Sequence, residues 1–210
     1  MRARDAARYN SPPTCNVAPV PAGSTSREAI LVATRRAIAE RGPGKLTLSA
    51  IATAAGVSRP TLYRWFPTKD DLLAAIAVYE EEQFDIGLRA VIAAHRSPAR
   101  RLDAALRYLV TYLDDHMGGD PIGADPRFAL QSLREGLPVQ SAALVRLLGD
   151  AFLQVPAVRT RRLTRVQAAE MFLRVAYSHY LVPHPDPEVL LANLRAFAGL
   201  SGGAAMRATG

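Results

Sequence analysis

Residues 47–69 read TLSAIATAAGVSRPTLYRWFPTK, and this stretch decides the fold. Leu48, Ile51, Ala52 and Ala55 recur at i, i+3, i+4, i+7, the spacing that lines one face of a helix. Leu62 and Phe66, four residues apart, share a face of a second short helix. Between the two segments, Gly56 tolerates the left-handed backbone that ends a helix, and Ser58 offers a side-chain oxygen to cap the next one. Pro60 falls in that helix's first turn, where proline is allowed. Two helices joined by a short glycine-containing turn form a helix-turn-helix, a motif whose second helix enters the DNA major groove.

The outward face of the second helix carries the chemistry expected of such a reader. At 100° per residue, Pro60 and Arg64 lie nearly opposite the Leu62–Phe66 face, flanked by Thr61 and Tyr63, while Arg59 sits at the helix N-terminus. Arginine bonds guanine bidentately, threonine bonds a base or touches a thymine methyl, and tyrosine commonly donates to phosphate. A helical hairpin with a solvated polar face has the same pattern, so the helix periodicity alone leaves both readings open.

The run from Arg27 to Leu73 resembles the N-terminal domain of the TetR family of bacterial transcriptional regulators. The resemblance rests on Ile30, Ala33 and Ala37-Ile38, then Leu48 to Ala52, Ala55 to Ser58, Thr61 to Lys69, and Leu72-Leu73. It implies that the helix from Ser58 reads DNA and that Tyr63 and Lys69 contact phosphate. The residues assigned to DNA are Thr47, Ser58, Arg59, Pro60, Thr61, Tyr63, Arg64 and Lys69. Position 65 is usually His in the family; here it is Trp65, whose place at the flank of the buried face predicts packing beneath the motif.

Charge distribution points to the same partner independently. Residues 1–70 hold eleven basic and four acidic residues, so the whole net charge of +7 sits there and the remainder is neutral. A basic patch of this kind is an electrostatic footprint for phosphate. No basic amphipathic helix with a large apolar face accompanies it, which disfavours a membrane surface. The longest apolar run, Leu72–Tyr79, is far short of a membrane span, and no apolar stretch follows the N-terminal arginines as in a signal peptide. Cys15 stands alone, consistent with a reducing cytoplasm.

The 210 residues, 49% of them hydrophobic, suffice for a buried core. Residues 1–23 and 201–210 read as flexible tails, 24–73 as the DNA-binding domain and 74–200 as a helical ligand-binding and dimerisation domain. Thr25 with Glu28 predicts a capping box for a helix to Arg41, stopped by Gly42-Pro43-Gly44. Thr68 is expected to cap a fourth helix reaching about Ala94. Five more helices follow, over 98–117, 125–134, 138–155, 163–181 and 186–199. Their separators are Gly118-Gly119-Asp120-Pro121, Gly136-Leu137-Pro138, Pro156 and Pro183-His184-Pro185. No strand-like alternation occurs, so the class is all-α with about nine helices.

The family resemblance implies a homodimer through the last two long helices and an inducer pocket in the body. Ala176, Tyr180, Leu190, Leu194 and Phe197 are the expected interface. The expected pocket lining is Leu109, Leu113, His116, Met117, Phe128, Leu133, Leu148, Phe152, Phe172 and Tyr177, with Tyr177, His116 and His179 as polar anchors. Core packing explains many of these positions equally well. No metal-ligand spacing, phosphate loop, dinucleotide fingerprint or nucleophile motif occurs, so neither enzyme activity nor a cofactor is expected. The sequence thus predicts a cytoplasmic, dimeric regulator of double-stranded DNA, a repressor freed from a palindromic operator by a small apolar or amphipathic effector. The same fold acting without such an effector, as an activator or under a protein partner, is the alternative. A helical enzyme or lipid-binding protein is a more distant one.

Overall fold

In the computed structural model, residues 25–117, 125–182 and 186–200 are described; for 114–117 and Pro187 this covers the backbone alone. The two expected tails, 1–23 and 201–210, and the separators at 118–121 and 183–185 lie outside the described residues. Among the described residues there are nine α-helices and no strand. They are α1 (Ser26–Arg41), α2 (Leu48–Ala54), α3 (Arg59–Trp65), α4 (Lys69–Ala93), α5 (Pro98–Met117), α6 (Pro126–Leu148), α7 (Pro156–Arg159), α8 (Arg165–Leu181) and α9 (Pro187–Phe197). The chain divides into two units, one running to Ile76 with the segment at 115–126, the other comprising 77–114 and 127 onward.

The first unit is built by its caps. The Thr25 hydroxyl accepts from Glu28 N at 3.3 Å, which supplies the hydroxyl half of the expected capping box. Gly42, with φ of 74°, closes α1 by donating to the Ile38 carbonyl at 2.8 Å. Thr47 caps α2 through Ala50 N, and Ser58 caps α3 through Thr61 N, both at 3.2 Å. Gly56, with φ of 66°, makes the turn between them. At the start of α4, Thr68 and Asp71 cap reciprocally: Asp71 N donates to Thr68 Oγ1 at 3.1 Å and Thr68 N to Asp71 Oδ2 at 3.0 Å. With its ends satisfied, the motif closes on an apolar centre of Ile30, Leu31, Ile51, Leu62 and Phe66, where α1 packs on α2 and α3. Each such side chain contributes about 1.5–3 kcal/mol by leaving water.

In the second unit, α6 corrects the sequence reading. The expected break at Gly136-Leu137-Pro138 does not occur; the helix runs through Pro138 from Pro126 to Leu148. Proline there removes one backbone hydrogen bond, at about 3 kcal/mol. Burial of Ala129, Leu133, Leu144 and Leu148 on one continuous face, on both sides of the proline, offsets that loss. The Pro138 carbonyl also accepts from Ser141 Oγ at 3.0 Å. Helix α6 ends earlier than expected, at Leu148. Gly149 takes a φ of 52°, and a 3-10 turn to Gln154 replaces the expected helix end at 155. Helix α8 begins with a complete capping box, in which Thr164 Oγ1 accepts from Gln167 N at 3.1 Å and Gln167 Oε1 from Thr164 N at 2.8 Å.

Helices α4 and α5 approach closely at Gly87. A Cβ there would meet ring carbons of Tyr108 at 2.8 Å. The absent side chain lets Tyr108 reach the α4 backbone, donating to the Phe84 carbonyl at 3.1 Å, while Tyr112 donates to the Glu80 carboxylate at 3.2 Å. Phe84 lies edge-on to Tyr112 at 5.1 Å and tilted to Tyr108 at 5.6 Å. Burial holds the Tyr108 phenol well above its ordinary value, so it remains a donor throughout the physiological range.

Candidate functional site

Helix α3 is sharply two-sided. Leu62 is fully buried and Phe66 nearly so, whereas Ser58, Arg59, Pro60, Tyr63 and Arg64 are exposed, Tyr63 at 48%. Pro60, Tyr63 and Arg64 are thus exposed on the side that periodicity sets away from Leu62, with Ser58 and Arg59 exposed at the helix start. Thr61 is half-buried, and its hydroxyl lies 2.8 Å from Ser58 Oγ, so any base contact by Thr61 competes with the cap. Thr47 is exposed, with its hydroxyl committed to the start of α2. Lys69 is half-buried and donates to the Gly44 carbonyl at 3.4 Å, a long bond that a phosphate oxygen can displace.

The electrostatics of this face are one-signed. Residues 41–69 contain Arg41, Lys45, Arg59, Arg64 and Lys69 and no acidic residue. Such a surface attracts polyanions and gains by releasing their counterions.

Trp65 overturns an expectation. It was expected beneath the motif, yet it is 44% exposed beside Tyr63. The reason is local: Trp65 is the last residue of a two-turn helix, and Phe66 leaves helical geometry at φ −136°. No following turn covers the indole. Periodicity assigned it to a flank, and a flank at a helix end is open.

The comparisons with known proteins agree with this geometry. Residues 30–76 match the family model described as bacterial regulatory proteins, tetR family. The N-terminal helix-turn-helix segment is thus of the tetR-family type. An HTH-type transcriptional regulator from Mycobacterium tuberculosis strain H37Rv is 37% identical over 73 residues, which are 35% of this chain and 36% of that protein. The matched part is thus about a third of the curated relative's length. A solved structure of the fatty acid degradation regulator FadR from Bacillus halodurans superposes with a TM-score of 0.59 at 18% identity, covering 85% of this chain and 96% of that one. AibR in complex with isovaleryl coenzyme A and operator DNA gives 0.53 at 18% identity, covering 84% and 97%. At these identities the two structures show a shared fold. The proteins this chain resembles are transcriptional regulators, not enzymes.

In the second unit most of the residues expected to line a pocket are buried. Leu109, Leu113, Leu133, Leu148, Phe152, Phe172 and Tyr177 are buried, and Phe128 is half-buried; the side chains of His116 and Met117 lie outside the described residues. The buried ones fill space rather than line it. Phe152 and Phe172 stack at 6.4 Å, and Phe172 meets Phe197 edge-on at 6.2 Å. Tyr177 donates to Gln140 Oε1 at 2.7 Å, its phenol raised by burial, so this expected anchor already has a partner. None of these residues borders either of two clefts on this unit, one of about 310 Å³ at the α4–α5 turn and one of about 440 Å³ along α6 at Arg127 and Glu135.

The residues expected at an interface lie at different depths. Ala176, Leu190 and Leu194 are buried within the single chain, Leu194 completely, and so present nothing to a second copy. Tyr180 is half-buried, with its phenol pushed up to about 12 by burial, and Phe197 is 43% exposed. The stripe on α9 is amphipathic, but its centre faces the chain's own core. Among the described residues no group of three His, Cys, Asp or Glu is placed to hold a metal, and no helix is long and apolar enough to cross a membrane.

Proposed function

We propose that this chain is a cytoplasmic, DNA-binding transcriptional regulator that acts as a homodimer on a palindromic operator and is released from it by a small effector. The observation that carries the reading is α3: a capped helix whose open face presents Arg59, Tyr63 and Arg64, within a segment, residues 41–69, that contains no acidic residue. In such a helix Arg59 and Arg64 read base edges, Pro60 and Thr61 give apolar contact, and Tyr63 and Lys69 bond phosphate. Thr47 and Ser58 set the two helix starts. A single head reads half a site; a twofold pair spaced by about 34 Å, one turn of duplex, reads a palindrome.

Two copies need an apolar surface to meet on. Val166 on α8 and Val189 and Phe197 on α9 remain exposed, and Tyr180 is half-buried, so we assign the interface to these residues of the last two helices. An effector releases DNA by preferring a dimer whose recognition helices are wrongly spaced. AibR was solved with both an acyl coenzyme A and operator DNA, which makes a small effector in this fold a concrete expectation. The close packing of Phe152, Phe172 and Tyr177 instead favours a second reading, a regulator of the same fold with no small effector.

The experiment is fluorescence anisotropy of labelled DNA against the chain at several salt concentrations. Specific binding to one palindrome, weakening steeply with salt, is expected. Equal affinity for every duplex, or none, overturns the reading. Release of that DNA by any small apolar compound decides between the two modes of control.

A further inference from the structure

The cleft at the α4–α5 turn has an unusual lining. Its ionisable side chains are Arg89 on α4, His95 and Arg96 in the turn, and Arg101 on α5, with no carboxylate among them. Exposed Ala93 and half-buried Leu147 supply the apolar part of the lining, over the buried Ile92. Arg101 is half-buried and held in place, donating to the carbonyls of Leu147 at 2.8 Å and Leu148 at 3.4 Å, where α6 ends. Arg89 bonds Asp85 at 3.0 Å, but that one carboxylate is shared with Arg146. Arg96 is exposed. The first turn of α5 contains Arg100 and Arg101 and no acid, so two cations stand at the positive end of a 20-residue helix. Positive charge is therefore concentrated here beyond what neighbouring carboxylates neutralise.

We propose that this cleft binds a small anion carrying an apolar group, a carboxylate or phosphate monoester whose head lies between Arg89 and Arg96 and whose apolar part lies on Ala93 and Leu147. Guanidinium forks pair with both kinds of oxyanion through charge-assisted bonds stronger than neutral ones. The cleft, of about 310 Å³, is shallow and open to solvent, so it can hold a compact molecule or one end of a longer one. A bare inorganic anion leaves the Ala93–Leu147 surface in water, and a cation meets three arginines. The proposal rests on the reading of this unit as the effector-binding body, and it supplies the anionic class that the reading leaves open.

The test is titration calorimetry of the full chain without DNA, using octanoate, octyl phosphate, octylammonium and inorganic phosphate as probes. At least one of octanoate and octyl phosphate is expected to bind, with the tighter identifying the head group. Octylammonium and inorganic phosphate should bind at least tenfold more weakly. Arg96→Ala and Arg89→Ala should each weaken the tighter anion about tenfold. Arg96→Lys should retain most of the affinity, and Arg127→Ala, on α6 away from the cleft, should change nothing. Equal binding of octylammonium, no heat from either octyl anion, or unaltered affinity in Arg96→Ala with an unchanged melting temperature overturns the site. Repeating the titration with bound DNA separates the two ideas: anion binding without DNA release leaves the cleft standing and overturns its role as effector site.

Discussion

Arg195 on α9 grips Asp103 on α5 with one full edge of its guanidinium, Nε to Oδ1 at 2.5 Å and Nη2 to Oδ2 at 2.9 Å. The two residues are 92 apart in sequence, and both are about a third exposed. Hydrogen bonding from Arg195 outweighs desolvation and holds the Asp103 carboxyl below its ordinary value; the same bond raises Arg195. A carboxyl lowered by folding contributes stability above its unfolded pKa, and that contribution disappears as pH falls through the folded one. Asp103→Asn should therefore lower stability by about 1 kcal/mol at neutral pH, the partial exposure keeping the figure small. The difference in urea midpoint between variant and parent should close on acidification below about pH 4. A gap that persists at low pH would show that shape, not charge, is what Asp103 supplies.

Gly87→Ala reverses a general rule. In an open helix this change stabilises by roughly 1 kcal/mol through backbone entropy. Here the new methyl meets the Tyr108 ring at 2.8 Å, and the cost of overpacking, about 1–3 kcal/mol, wins. In a Tyr108→Leu background the penalty should shrink or change sign. Urea denaturation of the four proteins of this cycle measures the coupling.

Arg161 has φ of 58°, the left-handed position that follows a helix and usually belongs to glycine. It closes α7: Arg161 N bonds the Val158 carbonyl at 3.0 Å and Arg162 N the Ala157 carbonyl at 2.8 Å. Arg161→Gly should keep those bonds, relieve the strain and raise stability by about 1 kcal/mol, read as a higher thermal midpoint. A lower midpoint would mean that the arginine side chain supplies more than its backbone loses.

Trp65 is the chain's single tryptophan and is exposed on α3, so its emission reports directly on that face. Operator DNA should change its intensity or wavelength in step with binding. Arg64→Ala should weaken the operator by roughly 1–3 kcal/mol and relax preference at one base position, whereas Lys69→Ala should weaken all sequences alike and reduce the salt slope by about one. If DNA binds by anisotropy while Trp65 emission stays constant, α3 is not the reading helix.

Leu194 and Phe197 separate core from interface. Leu194→Arg places an unpaired charge in the chain's own interior, at several kcal/mol, and should abolish folding in circular dichroism. Phe197→Arg changes a 43%-exposed ring and should preserve helix content while light scattering reports a monomer. A folded dimer from Phe197→Arg places the twofold contact elsewhere.

Much of this protein was legible in the sequence alone because its decisive signals are short-range. The caps at Thr25, Ser58 and Thr68, the turn at Gly56 and the two faces of α3 each depend on groups within a few residues. Backbone geometry and hydrogen bonding fix such features wherever the segment lies. The tetR-family resemblance was legible for the same reason, since it lies in one unbroken run. Tertiary structure alone decided the rest. A stripe such as Leu190, Leu194 and Phe197 states that a helix is amphipathic, not what covers it; the fold buries Leu194 and leaves Phe197 at the edge. Pro138 breaks a helix locally, but burial on both sides of it outweighs one lost bond. The apolar residues expected to line a pocket fill one another's space, and the cationic cleft joins Arg89, Arg96 and Leu147 across 58 residues. Which apolar face meets which is a sum over distant contacts, each comparable to a single local preference, and only the folded chain performs it.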